Sequence, residues 1–110
     1  MSENFEPKII NEENLDTLIN GDKPVLIDFF ATWCGPCQMM LPLIHEIAKE
    51  EKEERFVVGV VDIDESPSIA GKFGVMSVPT FLIAKEGKEV VRFVGAMPKD
   101  TLLDKIKSAI

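Results

Sequence analysis

Apolar and polar positions along the chain repeat with two different periods, and the switches between them mark out the elements. After a polar arm over residues 1–7, Lys8-Ile9-Ile10 reads as a short strand. Asn11 then has the character of an N-cap, with Glu12 and Glu13 in the first turn and Leu15, Leu18 and Ile19 at helical spacing until Gly21 ends the run. From Pro24 to Ala31 the chain is apolar apart from Asp28, the pattern of a strand covered on both faces. From Cys37 onward Met40, Leu41, Ile44, Ile47 and Ala48 return to helical spacing. Pro42 falls inside that pattern, and because the periodicity resumes beyond it a kink is expected rather than an end.

The charge run from Lys49 to Arg55 reads as a solvated helix end and loop. Phe56 to Asp62 is rich enough in β-branched residues for an interior strand. Ser66-Pro67 opens a short helix through Phe73, which Gly74 terminates. Thr80 to Ala84 is a further strand, Lys85-Glu86-Gly87-Lys88 a hairpin turn, and Glu89 to Val94 its antiparallel partner. Pro98 begins a last helix whose Leu102, Leu103, Ile106 and Ile110 share one face. The order β-α-β-α-β-α-β-β-α predicts an α/β fold with a single mixed central sheet and helices on both of its faces. With no repeats or linkers, residues 1–110 are expected to form one domain.

Between the second strand and the second helix stand Trp33-Cys34-Gly35-Pro36-Cys37, which hold both cysteines of the chain. Two thiols at this spacing can close a small disulfide ring, and a thiolate on one can attack a foreign disulfide while the other waits to resolve the mixed species. The same spacing supplies half of many zinc sites, but zinc needs four ligands, and beyond the pair there is only His45, which the helical pattern puts on a surface. Haem attachment needs His after the second Cys, and position 38 is Gln. On the residues alone, an iron–sulfur cluster shared between subunits and a plain buried cysteine pair remain open. A strand followed by this motif and then a helix puts Cys34 at a helix N-terminus, where free N–H groups favour a thiolate. Pro36 suits the first turn and Gly35 adds no bulk beside the sulfur. Cys34 is therefore expected to be the exposed nucleophile and Cys37, one turn inward, the shielded resolving thiol.

Asp28 is the one charge in a run the pattern would bury. Desolvation disfavours a carboxylate, so its pKa should be raised, leaving a group able to exchange a proton near neutrality. The bland alternative is a strand-end carboxylate turned to solvent. Charge narrows the partners further. Nineteen acidic against twelve basic side chains give a net charge of −7, which repels phosphate backbones and anionic lipid, so neither nucleic acid nor membrane is expected as a partner. The first residues show no basic or apolar leader pattern, and no apolar run approaches a membrane span, which makes the cytoplasm the expected location. Two cysteines in a reducing compartment read as redox-active rather than as a staple.

Taken together, these residues resemble the thioredoxin family over nearly the whole chain. The Trp-Cys-Gly-Pro-Cys motif carries the resemblance, with Asp28 six residues before Cys34, Pro42 five after Cys37, then Val78-Pro79-Thr80 and Val94-Gly95-Ala96. It implies the thioredoxin fold and reduction of protein disulfides through a redox-active Cys34-Cys37 disulfide. Asp28 would accept the proton of the resolving cysteine, and Pro79 would be cis and sit against the disulfide. Trp33, Gly35, Pro36, Met76, Val78, Gly95 and Ala96 would form an apolar rim, with the Val78 backbone pairing to an extended substrate segment. Ordinary core packing is the alternative for Trp33 and Met76. The resemblance further implies a separate thioredoxin reductase fed by NADPH or ferredoxin. The sequence has no Gly-rich dinucleotide fingerprint and too few metal ligands, so no bound cofactor or metal is expected, and a monomer is expected. Two positions depart from the family pattern. Val60 stands where many members have a lysine facing the aspartate, and Phe30 where many have a second tryptophan. An oxidant or isomerase, and a non-catalytic clamp built on the same fold, are the rival readings.

Overall fold

The computed structural model describes residues 5–110, so the first four residues of the predicted arm lie outside the described residues. The elements follow in the predicted order: β1 (Lys8–Ile9), α1 (Leu15–Ile19), β2 (Val25–Phe30), α2 (Gly35–Glu51), β3 (Val57–Asp62), α3 (Pro67–Phe73), β4 (Thr80–Lys85), β5 (Lys88–Val94) and α4 (Lys99–Ala109). They build one mixed sheet in the order β1-β3-β2-β4-β5. β2 lies in its middle, parallel to β3 and antiparallel to β4. With a strand on each side and a layer on each face, it has no solvent-facing set of positions, which explains a run that is apolar but for Asp28.

Alternation along β2 sends its side chains into two separate cores. Leu26 joins Met40, Ile44 and Ile47 of α2 and Leu102 and Ile106 of α4 on one face. Val25, Ile27 and Phe29 join Leu15 and Ile19 of α1 and Ile69 of α3 on the other, where Phe29 meets Phe73 edge to face at 6.0 Å. By the same alternation Asp28 projects toward the α2 and α4 layer. α2 runs unbroken through Pro42.

Three local expectations need correction. The first helix begins at Leu15, not directly after Asn11. Asn11 does cap, its side-chain oxygen accepting the N–H groups of Glu13 (2.9 Å) and Asn14 (3.1 Å), but the Asn14 side-chain oxygen in turn accepts the Asn11 N–H and its amide nitrogen donates to the Ile9 carbonyl. These local side-chain bonds hold a turn where a helix would otherwise start. The charge run is not wholly solvated either. Glu51 is buried, and its carboxylate accepts from the Arg55 backbone N–H (3.1 Å) and guanidinium (2.8 Å), so the end of α2 folds back on a charged anchor. The last β-strand also starts a residue earlier, at Lys88, because the hairpin loop is only Glu86 and Gly87.

Both loop residues have positive φ, 55° and 80°, the geometry that matches the twist of a two-residue hairpin. Gly87 also donates its N–H to the Ile19 carbonyl at 2.8 Å, tying the hairpin to the end of α1. A Cβ there would stand 2.5 Å from the Asn20 side-chain oxygen. Gly87→Ala is therefore expected to lower unfolding stability by about 1–2 kcal/mol, the cost of a left-handed non-glycine residue. A lowered urea midpoint at unchanged slope would show it, and an unchanged midpoint would contradict it.

Candidate functional site

The site begins where β2 stops. Cys34 donates its backbone N–H to the Ala31 carbonyl at 3.2 Å and takes extended dihedrals (φ −90°, ψ 111°) as the N-cap of α2. Gly35 and Pro36 follow as the first helical residues, so the missing proline N–H removes no helical bond. Cys34 and Cys37 are joined in a disulfide, Cα to Cα 5.2 Å, and the Cys34 sulfur accepts the backbone N–H of Cys37 at 3.2 Å. The cap position and the bridge are thus one feature: a sulfur held at the mouth of the helix by its own first turn.

Burial separates the two sulfurs less than the sequence suggests. Cys37 is fully buried, but Cys34 is only 6% exposed, so the expectation of an exposed Cys34 is corrected. Cys34, Cys37 and Ala31 form a small buried cluster against which Phe30, Ile63 and Val78 pack, and the Cys34 sulfur lies 3.7 Å from the Val78 carbonyl oxygen. The Val78-Pro79 bond is cis. The Gly95 N–H donates to the Pro79 carbonyl at 2.9 Å, which brings the Gly95-Ala96 segment alongside.

Of the rim residues, Trp33 (69%) and Met76 (97%) are strongly exposed, which removes the core-packing alternative for both. Gly35, Pro36 and Ala96 are exposed, Val78 and Gly95 half-buried, and Pro79 buried beneath them. One further residue belongs here that sequence reasoning missed: Asp64 accepts the Trp33 indole N–H at 2.9 Å and fixes the ring. Met39, 74% exposed, lies three residues after Pro36 and off the buried stripe of α2. His45 is exposed on α2, as expected. No cluster of three or more His, Cys, Asp or Glu side chains suited to a metal occurs among the described residues. No helix among them is long and apolar enough to cross a membrane.

Asp28 is fully buried, and neither carboxyl oxygen has a hydrogen-bond partner among the described residues. Its register partners are Val60 and Phe81, which offer no side-chain donor. Desolvation accordingly pushes its pKa up from 3.8 to about 7. The solvent-facing alternative is excluded.

The thioredoxin family model matches residues 6–108. Thioredoxin Y2, chloroplastic, of Arabidopsis thaliana is 44% identical over 86% of this chain, which spans 56% of that protein's length. The thioredoxin of Chlorobaculum thiosulfatiphilum is 43% identical over 90% of this chain and 92% of its own. That of Mycolicibacterium smegmatis is 40% identical over the full length of both. Among solved structures, a mutant thioredoxin from Halobacterium salinarum NRC-1 superposes with a TM-score of 0.86 at 34% identity, covering 99% of this chain and 95% of its own. Thioredoxin from Malassezia sympodialis gives 0.88 at 32%, with the same coverage.

The raised Asp28 pKa makes a signed prediction. Between about 3.8 and about 7 the folded protein holds a proton that the unfolded chain releases. Stability from this group is therefore full below the unfolded value and is lost as pH climbs to the folded one. Asp28→Ala should remove that loss, so the variant gains stability relative to the parent as pH goes from 4 to 8, by roughly 1.4 kcal/mol per unit of pKa difference at most. Urea titrations at the two pH values measure it. A stability difference that stayed constant with pH would rule out a buried titrating carboxyl.

Proposed function

Because this chain belongs to the thioredoxin family and is a thiol–disulfide oxidoreductase, we propose that it reduces protein disulfides and that Cys34, Cys37 and Asp28 carry the exchange. The Cys34 thiolate attacks one sulfur of a substrate disulfide, forming a mixed disulfide and releasing the other substrate sulfur as a thiolate. Asp28, deprotonated, takes the proton of Cys37. The Cys37 thiolate then attacks the Cys34 sulfur, closing the internal disulfide and releasing the second substrate sulfur. The substrate gains two electrons and the dithiol loses two.

What supports this assignment is the position of the Cys34 sulfur at the N-cap of α2, the more accessible of the pair, already accepting the Cys37 N–H. That N–H and the helix dipole favour a negative sulfur once the bridge opens. Cys37 is sealed from visiting substrates but one turn away, the arrangement a resolving thiol needs. An acid with a pKa of about 7 is half-ionised near neutrality, matched to receiving and returning a proton there.

Substrate docks on the rim of Trp33, Gly35, Pro36, Met76, Gly95 and Ala96, and an extended segment pairs with the Val78 backbone above Pro79. Apolar contact plus main-chain bonding gives broad specificity. Thioredoxin reductase, drawing on NADPH or ferredoxin, restores the dithiol, and the chain acts as a monomer and a single domain over 1–110 in a reducing compartment, the cytoplasm. Some relatives are named as chloroplastic.

Dithiothreitol-driven reduction of insulin should proceed with the parent and be abolished in Cys34→Ser, while Cys37→Ser should accumulate a mixed disulfide visible by mass. A clamp built on the same fold would not need the thiol, so unchanged performance of Cys34→Ser would overturn the reading. Equilibration of the Cys34/Cys37 couple with glutathione separates reductant from oxidant.

A further inference from the structure

The ladder between β4 and β5 is interrupted. Ile83 pairs with Val91 but Ala84 pairs with Glu89, so Val90 is the extra residue of a β-bulge. In a regular strand, residues three apart project from opposite faces. Here the bulge brings Glu89 and Arg92 to the same face, opposite Ala84 and Leu82, both of which belong to the core beneath α1 and α3. Glu89 then clasps one edge of the guanidinium: Nε donates to one carboxylate oxygen and Nη2 to the other, each at 2.6 Å.

The remaining N–H groups of Arg92 reach the end of α3. Gly74, with φ 63°, turns the helix off and donates its N–H to the Gly71 carbonyl at 3.2 Å, while Val75 donates to Ala70 at 2.9 Å. Those bonds leave the Phe73 and Gly74 carbonyls without a partner from the turn itself. Arg92 supplies it, Nη1 donating to Gly74 at 3.3 Å and Nη2 to Phe73. From Gly74 the chain runs directly to the 97%-exposed Met76 and to Val78, whose carbonyl faces the Cys34 sulfur. The far end of the segment is fixed by the Thr80 hydroxyl, which donates to the Ser77 carbonyl at 2.7 Å.

We propose that Arg92, aimed by the bulge and held by Glu89, is a positioning residue for substrate: it anchors the start of the Gly74–Val78 segment and so sets where Met76 and Val78 stand relative to Cys34. This rests on the reading of that segment as the docking edge for protein disulfides. Arg92 touches neither sulfur, so it acts on docking of an extended substrate and not on thiol reactivity.

The test compares a protein disulfide with a small one. Insulin reduction recycled by dithiothreitol gives KM and kcat, and single-turnover reaction of the reduced protein with 5,5′-dithiobis(2-nitrobenzoate) gives thiol reactivity without a docked chain. R92A is expected to raise the insulin KM about fivefold with kcat and the small-disulfide rate within about twofold, the pattern of lost binding without lost chemistry. R92K should recover part of the KM, since an ammonium can reach a carbonyl but cannot fork between Glu89 and two carbonyls. E89Q should move KM in the same direction by less, and it carries the test if R92A fails to fold. An unchanged insulin KM in R92A or, failing that, in E89Q overturns the proposal. So does an equal loss on both substrates, which would make Arg92 a stability residue only. A parent that reduces the small disulfide but not insulin would instead sink the functional reading beneath it.

Discussion

The sulfur pair depends on β2 being held on all four sides. β3 and β4 fix it edge to edge and the two cores fix it face to face, so the point where it gives way to Ala31 is set by the whole sheet. Cys34 hangs from that point by one backbone bond and begins α2, whose buried Cys37, Met40, Ile44 and Ile47 lock the helix to the same sheet. Protein interiors pack at crystal-like density, so neither end of this junction shifts without cost elsewhere. A reacting sulfur placed between two such elements keeps its geometry through an exchange reaction that makes and breaks covalent bonds around it.

The same burial creates the least favourable feature of the core. Asp28 gives the sheet an unpartnered carboxyl on the α2 side, and Val60 opposite it cannot offset the cost with a positive charge. Keeping the acid protonated is the cheapest state for such a group, which is why its pKa rises to about 7. A leucine would fit the hydrophobic logic of the strand better. Retention of an acid fits the proton transfer proposed for it, and the two cores around it absorb the penalty.

How much of this was readable from sequence follows the range of each interaction. Periodicity found every element because the cores are built from regular faces, and the motif located the redox turn because it is contiguous. The start of α1 was missed because Asn11 and Asn14 bond to each other and to neighbouring backbone, and spacing does not record which local option a side chain takes. Glu51 was missed because a run of charges says nothing about which of them faces inward. Asp64, 31 residues from Trp33, and Arg92, 18 from Gly74, carry no local signal, and the second also needs a bulge that reverses the expected face. The burial of Cys34 was misjudged because the cluster that encloses it includes Ile63 and Val78, which come from the segments after β3 and before β4.

Both margins of the sheet are poor templates for a further strand. β1 contributes only Lys8 and Ile9, and β5 is bent by its bulge and carries Lys88, Glu89 and Arg92. Short, charged or kinked borders discourage chains from adding to a sheet. Any extended chain that meets the sheet therefore finds the lateral routes closed. The backbone at Val78 beside Cys34, proposed above as the docking edge, lies away from both of these borders. The fold thus carries its own guard against joining the sheets of neighbouring chains edge to edge.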